Sequence, residues 1–286
     1  MIYVINNFNL TLCGIFFLIF SFFISNGQTL SGPEVTQKMF AATKDIKTLI
    51  YRMKKIERIK GEMTTQVSFV KLIREPFKVY TKQEYPNDGL EVLFKEGDNS
   101  ALINPNGFPW LNLKLDPHGN RMRKEQHHTI HNAGYDHVVS ILEHLFTKYN
   151  AEIHSLTSLE STIWNSKPCW KVEFQNPNFK YSKYTVGPNE TVNSIADKYK
   201  LSSYMILEVN KSINDYDDIT EGQIITIPND YSPKMSLMID KEIMVPLVMK
   251  VYDDKGLYEH YEFSDIKINP TITDAEFTEE YPDYGF

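Results

Sequence analysis

The sequence predicts an α+β protein in which a large antiparallel β-sheet packs on a few helices. After the first thirty residues, most of the chain alternates apolar and polar residues in short runs, which is the pattern of half-buried strands. Turn sequences rich in Gly, Pro, Asn and Asp separate these runs, and few segments show the helical period. With 286 residues, 42% of them hydrophobic, the chain can bury a substantial core in one large domain or two smaller ones.

Helical spacing of apolar residues predicts a first helix that begins at Pro33. The same spacing continues to Ile56, but residues 48–73 also alternate on both sides of a turn near Gly61. We prefer the second interpretation, which gives two long strands from Thr48.

Further strands follow, each bounded by a turn sequence. The runs FKVYTKQEY and LEVLFKE end at PNDG and GDN, and NPNG and DPHGN mark the turns of the next segment. The run AGYDHVVSILEHLFTKY then changes to the helical period and predicts a second helix. Alternation returns in STIWNSKPCWKVEFQN and again after Ser232, where the turn DDKG separates the last predicted strands.

Residues 184–228 interrupt this sheet with a short unit of another kind. The run YTV alternates as a strand, the turn GPNET places Thr191 as a helix N-cap, and VNSIADKYK continues as an amphipathic helix. The run SSYMILEVN predicts a second short helix that starts at a serine cap, and DITEGQIITIP adds a glycine turn and a closing strand. The order strand, helix, helix, strand is that of a minimal layered unit.

Fourteen positions in this unit fall at the spacing of a known family. They are Tyr184, Val186, Thr191, Ile195, Ala196, Tyr199, Leu207, Asn210, Ile219, Gly222, Gln223, Ile225, Ile227 and Pro228. Through these positions the unit resembles a LysM domain. The resemblance implies a βααβ module that binds glycans built on N-acetylglucosamine, which in bacteria is usually peptidoglycan.

The resemblance also implies where a sugar binds. In the LysM family the groove lies between the loop after the first strand and the loop after the second helix. Those loops correspond here to Pro188, Asn189, Glu190 and Thr191, and to Ile213, Asn214, Asp215 and Tyr216. Backbone amides in such a shallow groove hydrogen-bond N-acetyl groups, and apolar side chains meet the sugar faces. The sequence departs from the family at Asn189-Glu190, where Gly-Asp is usual. The alternative is a LysM fold kept as a spacer or a protein-contact module.

The sequence on either side of this unit resembles an envelope family of unknown function, whose fold is similar to that of the LolA-like lipoprotein carriers. The resemblance rests on the leading helix, the long strands, EPFKVYTKQEYPNDGLEVLF and the closing VYDDKGLYEHYEFSDIKINPTITDAEF. It implies a curved antiparallel sheet wrapped around helices. It also implies a discontinuous host domain, residues 28–183 and 229–286, with the LysM domain, residues 184–228, inserted between neighbouring strands. The Phe, Tyr, Leu and Met residues of the concave face form either a lipid pocket or an ordinary core.

Residues 1–27 have the character of a signal peptide. The apolar stretch from Ile15 to Ile24 is shorter than the roughly 20 residues of a membrane span, and small residues follow at Ser25 and Gly27. We therefore expect an exported protein of the periplasm or cell envelope, although no Lys or Arg precedes the apolar stretch. A buried N-terminal helix and a retained membrane anchor are the alternatives.

Composition and motifs exclude several classes of function. A net charge of −7 argues against nucleic acid as a partner. The sequence contains no GxSxG, P-loop or HExxH motif, and Cys169 stands in a strand-like context that is typical of a packed thiol. We predict a protein that is not an enzyme and needs no cofactor.

The run EQHHTIHNAGYDH holds the densest set of candidate metal ligands, which are His127, His128, His131, Asp136 and His137. Because Asn132 and Gly134 indicate a loop, we favour solvated or hydrogen-bonded loop histidines over a metal site. Just upstream, Arg121, Arg123 and Lys124 form a small basic patch. The patch either contacts an anionic group or belongs to a solvated edge strand, and we favour the edge strand.

These observations predict an exported bacterial envelope protein that binds peptidoglycan, or a related glycan containing N-acetylglucosamine, through a LysM module without catalysing a reaction. The alternative is a periplasmic carrier that holds a lipid or lipoprotein on the concave face of the host sheet. A third hypothesis is a metal-dependent envelope hydrolase that uses the histidine run.

Overall fold

A large antiparallel sheet dominates the fold. The computed structural model describes Met1 and residues 30–286, and Ser31–Phe286 form one compact unit. Apart from Met1, the predicted signal peptide at residues 1–27 lies outside the described residues. None of the helices between residues 30 and 286 has the length and hydropathy of a transmembrane segment.

Between residues 30 and 286 the chain forms thirteen strands, and every pairing is antiparallel. In chain order they are β1 (Thr48–Ile59), β2 (Glu62–Ile73), β3 (Lys78–Tyr85), β4 (Glu91–Lys95), β5 (Ala101–Asn104), β6 (Leu113–Leu115), β7 (Thr157–Trp164), β8 (Lys167–Gln175), β9 (Tyr181–Thr185), β10 (Ile224–Pro228), β11 (Lys234–Asp240), β12 (Pro246–Asp253) and β13 (Gly256–Ile268). Eleven of them form one sheet in the order β6-β5-β4-β3-β2-β1-β13-β12-β11-β8-β7, and β9 pairs separately with β10.

Helices pack on the large sheet and within the smaller unit. The α-helices of the described residues are α1 (Gly32–Lys44), α2 (Asn120–Arg123), α3 (Asp136–Lys148), α4 (Ile153–Leu156), α5 (Val192–Tyr199) and α6 (Ser203–Val209). Two 3-10 helices span Ile130–Asn132 and Asp274–Phe277. This architecture confirms the predicted α+β class, with an antiparallel sheet packed on helices.

A capping box fixes the start of α1. The Glu34 carboxylate accepts a hydrogen bond from the Ser31 backbone N–H at 2.7 Å, and Ser31 Oγ accepts from the Glu34 N–H at 3.4 Å. Pro33 lies in the first turn, where its missing N–H costs nothing. Val35 and Met39 are fully buried, and the helix contacts β7 and β8. The predicted first helix is therefore confirmed.

Residues 48–73, whose sequence fits either a helix or two strands, form the hairpin of β1 and β2. The two strands pair along their whole length. The turn residues Lys60 and Gly61 have φ of 54° and 90°, and positive φ at both positions of a two-residue turn matches the twist of the flanking strands. The two long strands predicted from Thr48 are confirmed.

Residues 176–233 leave the large sheet and return to it between two adjacent strands. Gln175, the last residue of β8, pairs with Lys234, the first residue of β11. The Asn229 N–H donates to the Lys180 carbonyl at 2.9 Å, so the two ends of the segment lie side by side. Beyond this point β9, α5, α6 and β10 enclose an apolar core of their own.

Helix α6 packs against the end of the large sheet, where the β1–β2 and β12–β13 turns lie. The Lys60 backbone N–H donates to the Tyr204 hydroxyl at 2.9 Å. On the neighbouring turn, Lys255 Nζ lies 3.4 Å from the Glu208 carboxylate. The inserted segment is therefore held against the sheet by side chains as well as by its two connections.

Candidate functional site

One carboxylate holds the shape of the loop after β9, the first of the two loops predicted to bind sugar. Glu190 accepts a hydrogen bond from the Gly187 N–H at 2.8 Å. The same carboxylate accepts from the Tyr184 hydroxyl at 2.8 Å and from Lys198 Nζ at 3.0 Å. The Gly187 N–H, and then Lys198 and Tyr184, lower the pKa of Glu190 to about 2. The carboxylate therefore keeps its charge and its hydrogen bonds at any ordinary pH.

Pro188 and Asn189 form the exposed tip of this loop. Asn189 adopts a φ of 58°, a conformation that Asn tolerates better than most residues, so the departure from Gly-Asp leaves the turn intact. At the end of the loop, Thr191 Oγ1 accepts from the Ser194 N–H at 3.1 Å and caps α5. The tip presents backbone and small side chains to solvent.

The second predicted loop, residues 213–216, offers less side-chain surface than we expected from the sequence. Ile213 and Tyr216 are 5% and 4% exposed, because they close the apolar core of the inserted segment. The Tyr216 carbonyl accepts from the Val192 N–H at 2.9 Å, which joins the two loops. Asn214 is exposed. A ligand therefore cannot reach the side chains of Ile213 and Tyr216. These two residues can offer only backbone groups to it.

Helix α2 lies against this second loop. Asn120 Nδ2 donates to the Asp215 carboxylate at 2.5 Å. The Arg123 guanidinium stands 3.4 Å from the centre of the Tyr216 ring, within cation–π distance. Arg123 is helical and 5% exposed, so the interpretation of this patch as a solvated edge strand is wrong for that residue. Arg121, in the same short helix, is exposed.

A cavity of about 150 Å³ lies where the histidine run meets α5 and α6. The residues that line it include Arg123, His137, Asn193, Asp197 and Ser203. Histidine rings lie against one another around it: His118 stacks on His131 with ring centroids 4.8 Å apart, and His128 meets His137 edge-on at 4.7 Å. In the described part of the chain, no three His, Cys, Asp or Glu side chains are arranged to hold a metal ion.

A buried histidine–glutamate cluster joins the histidine run to the sheet. Its members are Glu57, His127, His128, Tyr231, Glu259 and Tyr261. His127 Nδ1 lies 2.9 Å from Glu259 Oε1, and the His127 backbone N–H donates to Glu57 at 3.1 Å. The Tyr261 hydroxyl donates to Glu57 at 2.5 Å. Both carboxylates are at most 1% exposed, so they are closed to solvent.

The pKa shifts show that the cluster is held by charge. Burial alone raises the pKa of Glu259, but the charge of His128 and the hydrogen bond from His127 outweigh it and hold that pKa well below its usual range. Burial lowers the pKa of His127, but Glu57 and Glu259 raise it by a larger amount, so the net shift of this pKa is upward. In Glu57 the charges of Lys55 and His127 likewise outweigh burial and lower the pKa. Both ring nitrogens of His127 also face acceptors, Glu259 Oε1 at 2.9 Å and the Arg58 carbonyl at 3.0 Å, so both carry protons and His127 and Glu259 form a buried ion pair.

The sheet, its helices and the βααβ segment define an α+β protein that carries a LysM domain, and the LysM family model matches residues 184–228. The rest of the sequence matches a second family model. The model of the family described as "Protein of unknown function (DUF1571)" matches residues 47–191 and 226–286, and the chain belongs to this family. No curated protein matches the sequence.

Several solved structures are similar to this chain at low sequence identity and low TM-score. An uncharacterized conserved protein from Thermus thermophilus is 10% identical with a TM-score of 0.39, and the match covers 87% of this chain and 95% of that one. A LolA superfamily protein from Nitrosomonas europaea is 9% identical with a TM-score of 0.34, covering 88% and 99%. The lipoprotein LppX from Mycobacterium tuberculosis is 11% identical with a TM-score of 0.38, covering 85% and 99%.

Proposed function

We propose that this chain is an exported protein of the bacterial cell envelope that binds peptidoglycan, or a related glycan containing N-acetylglucosamine, and catalyses no reaction. The observation that carries the proposal is the exposed and internally braced loop 187–191, in a segment that matches the LysM family. A loop that is already rigid loses little conformational entropy when it binds. The signal-peptide character of residues 1–27 supports export.

The inserted segment is proposed to be a separate domain. We propose a host domain of residues 28–183 and 229–286 and a LysM domain of residues 184–228. The separate apolar core of the segment supports this division, as does its position between the paired strands β8 and β11. The adjacent ends of the segment also support it, because a module with adjacent ends disturbs its host least.

The proposed glycan surface consists of the loop after β9 together with Asn214. Pro188, Asn189 and Thr191 meet the ligand directly, and Asn214 supplies an exposed amide with both a donor and an acceptor. Glu190 acts indirectly, since its carboxylate is already used to hold the loop.

The other three predicted residues support the second loop. Ile213 and Tyr216 hold that loop from inside the core. The Asp215 carboxylate accepts from Asn120 of the host and from the Tyr216 N–H at 2.7 Å, so its oxygens are occupied on the side of α2.

The substitution Asn189→Lys tests the glycan surface without removing the module. Lysine tolerates the required backbone, because Lys60 and Lys200 have φ of 54° and 55° in this same chain. With the chain from Gln28, we expect affinity for a neutral hexamer of N-acetylglucosamine to fall about tenfold, or about 1.4 kcal/mol. Co-sedimentation with purified peptidoglycan is expected to fall in parallel.

The matched control is Asn178→Lys, which makes the same charge change at another exposed loop residue. Calorimetric titration of the hexamer into both variants and the unaltered chain gives the comparison. Equal affinities for the Asn189 and Asn178 variants would refute the proposed surface.

The carrier hypothesis ranks second because the sheet face under the helices is packed. The ring centroids of Tyr51 and Phe263 are 5.5 Å apart, and those of Tyr135 and Phe263 are 5.0 Å apart. The cavity that borders Leu49 and Tyr135 measures about 10 Å³, roughly the space of one water molecule. Mass spectrometry of the purified chain tests this ranking, and a stoichiometric acyl chain would reverse it.

A further inference from the structure

The loop between β5 and β6 carries the most exposed large apolar side chains of residues 30–286. Phe108 is 86% exposed, Trp110 is 81% exposed and Leu111 is 56% exposed. Single exposed apolar side chains are ordinary, but three of them so close together form a patch. Such patches mark surfaces that meet another molecule or a membrane. Residues 105–112 are called the apolar loop below.

Hydrogen bonds fix the shape of the apolar loop. The Asn106 N–H donates to Asn104 Oδ1 at 2.9 Å, and the Trp110 N–H donates to the Gly107 carbonyl at 2.7 Å. Asn106 Nδ2 also donates to the Asp88 carbonyl at 3.0 Å, which joins the loop to the turn between β3 and β4. The exposure of the aromatic side chains is therefore built into the fold.

The apolar loop carries no charged residue. Residues 99–113 contain no Asp, Glu, Lys, Arg or His. The exposed polar side chains of the loop, Asn106 and Asn112, flank the apolar residues on either side. Burying a charge in an apolar medium costs far more free energy than burying a neutral polar group, so this segment can leave water at low cost.

The composition and size of the patch favour a lipid bilayer as its occupant. Tryptophan is enriched at membrane–water interfaces, where its ring sits at the level of the headgroups. Phe and Leu beside it supply apolar area for the boundary of the acyl chains. A stable protein–protein interface needs roughly 800 Å² and about 20–30 residues on each partner, which a single loop does not supply. A bilayer needs no complementary shape.

We propose that the apolar loop inserts into the surface of a lipid bilayer through Phe108, Trp110 and Leu111. The loop has no charge and the whole chain carries −7, so anionic lipids offer no electrostatic attraction and apolar burial drives the contact. Binding to neutral lipids is therefore insensitive to salt. The contact uses no residue of the inserted segment, so it is independent of glycan binding.

The test uses the chain from Gln28, because Ser31–Phe286 form one compact unit and the apolar stretch of residues 15–24 is then absent. Flotation on a density gradient compares vesicles of phosphatidylcholine with vesicles of phosphatidylcholine and phosphatidylglycerol. We expect the chain to float with the neutral vesicles equally at low and high salt, and no more tightly with the anionic ones. Its tryptophan fluorescence should shift to shorter wavelength as it binds.

Two variants of the apolar loop test the residues that carry the contact. Trp110→Asn is expected to weaken partition into phosphatidylcholine vesicles about tenfold. Asparagine suits the position because Trp110 has a φ of 64°. Phe108→Ser is expected to weaken partition about threefold or more, and it keeps the test decisive if the first variant alters the loop. The matched control is Ile163→Asn, which changes an exposed apolar residue on β7, at the opposite edge of the sheet, and should partition as the unaltered chain does.

Three results would overturn the proposal. The first is a chain that floats with neither kind of vesicle, or only with the anionic vesicles at low salt, because charge would then drive the contact. The second is equal partition of both loop variants and the unaltered chain, or an equal loss in Ile163→Asn. The third is a concentration-dependent dimer in sedimentation velocity that Trp110→Asn removes, without vesicle binding, since the loop would then join two copies of this chain.

Discussion

Replacing His127 by leucine tests whether the buried histidine–glutamate cluster holds the histidine run to the sheet. The substitution removes the 2.9 Å contact with Glu259 and the 3.0 Å contact with the Arg58 carbonyl. Removing one partner of a buried ion pair typically costs about 3–5 kcal/mol, because the other charge stays buried. Glu259 keeps His128 and Tyr231, each at 3.2 Å. We therefore expect a loss at the lower end, about 3 kcal/mol of unfolding free energy.

Urea unfolding followed by circular dichroism measures this loss. His127→Gln separates the charge from the hydrogen bond, since a glutamine amide still donates to Glu259 but carries no charge, and it is therefore expected to lose most of the same roughly 3 kcal/mol. If the glutamine variant loses only about 1 kcal/mol, the net value of an ordinary hydrogen bond, or if the leucine variant loses less than about 1 kcal/mol, a buried charged pair is refuted.

The pH dependence gives an independent check with a defined sign. Because the pKa of His127 is raised on folding, its contribution is complete below the unfolded value of about 6.5 and is lost as pH rises through the folded value. Because the pKa of Glu259 is lowered, its contribution is complete above about 4.3 and is lost as pH falls through the folded value. His127→Leu should cost most between about pH 4.3 and 6.5. Equal costs at about pH 6 and about pH 9 would contradict the charged pair.

Two other side chains give further predictions. Glu190→Ala removes the brace of the loop after β9, so calorimetry should show about tenfold weaker binding of the N-acetylglucosamine hexamer. Since the pKa of Glu190 is about 2, the unaltered chain should bind the hexamer with equal affinity at about pH 4 and about pH 8. Weaker binding at about pH 4 would contradict the role of Glu190 as the brace of this loop. Cys169 is buried and burial raises its thiol pKa, so a thiol reagent should label it only after unfolding. Labelling at the same rate in native buffer and in urea would show that the thiol is accessible.

Features that depend on a few neighbouring residues could be predicted from the sequence. The turn at Lys60 and Gly61 bends the chain by its own backbone angles, and the strands on either side alternate locally. The inserted segment carries its own caps, among them Thr191 and Ser202, so its helices begin where the sequence indicates. Helix α3 likewise follows from the period of its buried residues.

The buried junctions could not be predicted, because their partners are far apart in the chain. His127 contacts Glu57 across 70 positions and Glu259 across 132 positions. Asn132 correctly indicates irregular backbone, yet His127, at the start of the same segment, is 1% exposed. One local feature did indicate a buried junction: Glu57 is six residues from the buried Tyr51 on β1, so the two side chains point to the same face of the sheet. An acid on the inward-facing positions of a strand requires a partner.

The inserted segment differs from a binding module on a flexible linker in its contacts with the host. Tyr204 and Glu208 of α6 meet the turns at the sheet end, and Asn193 of α5 meets Arg123 of α2. A flexible linker lets a module take many orientations and sets only how often it reaches its ligand. Here the loop after β9 runs directly into α5, which is hydrogen-bonded to the host. The proposed function therefore predicts that a glycan bound at that loop orients the large sheet relative to the glycan strand as well as retaining it nearby.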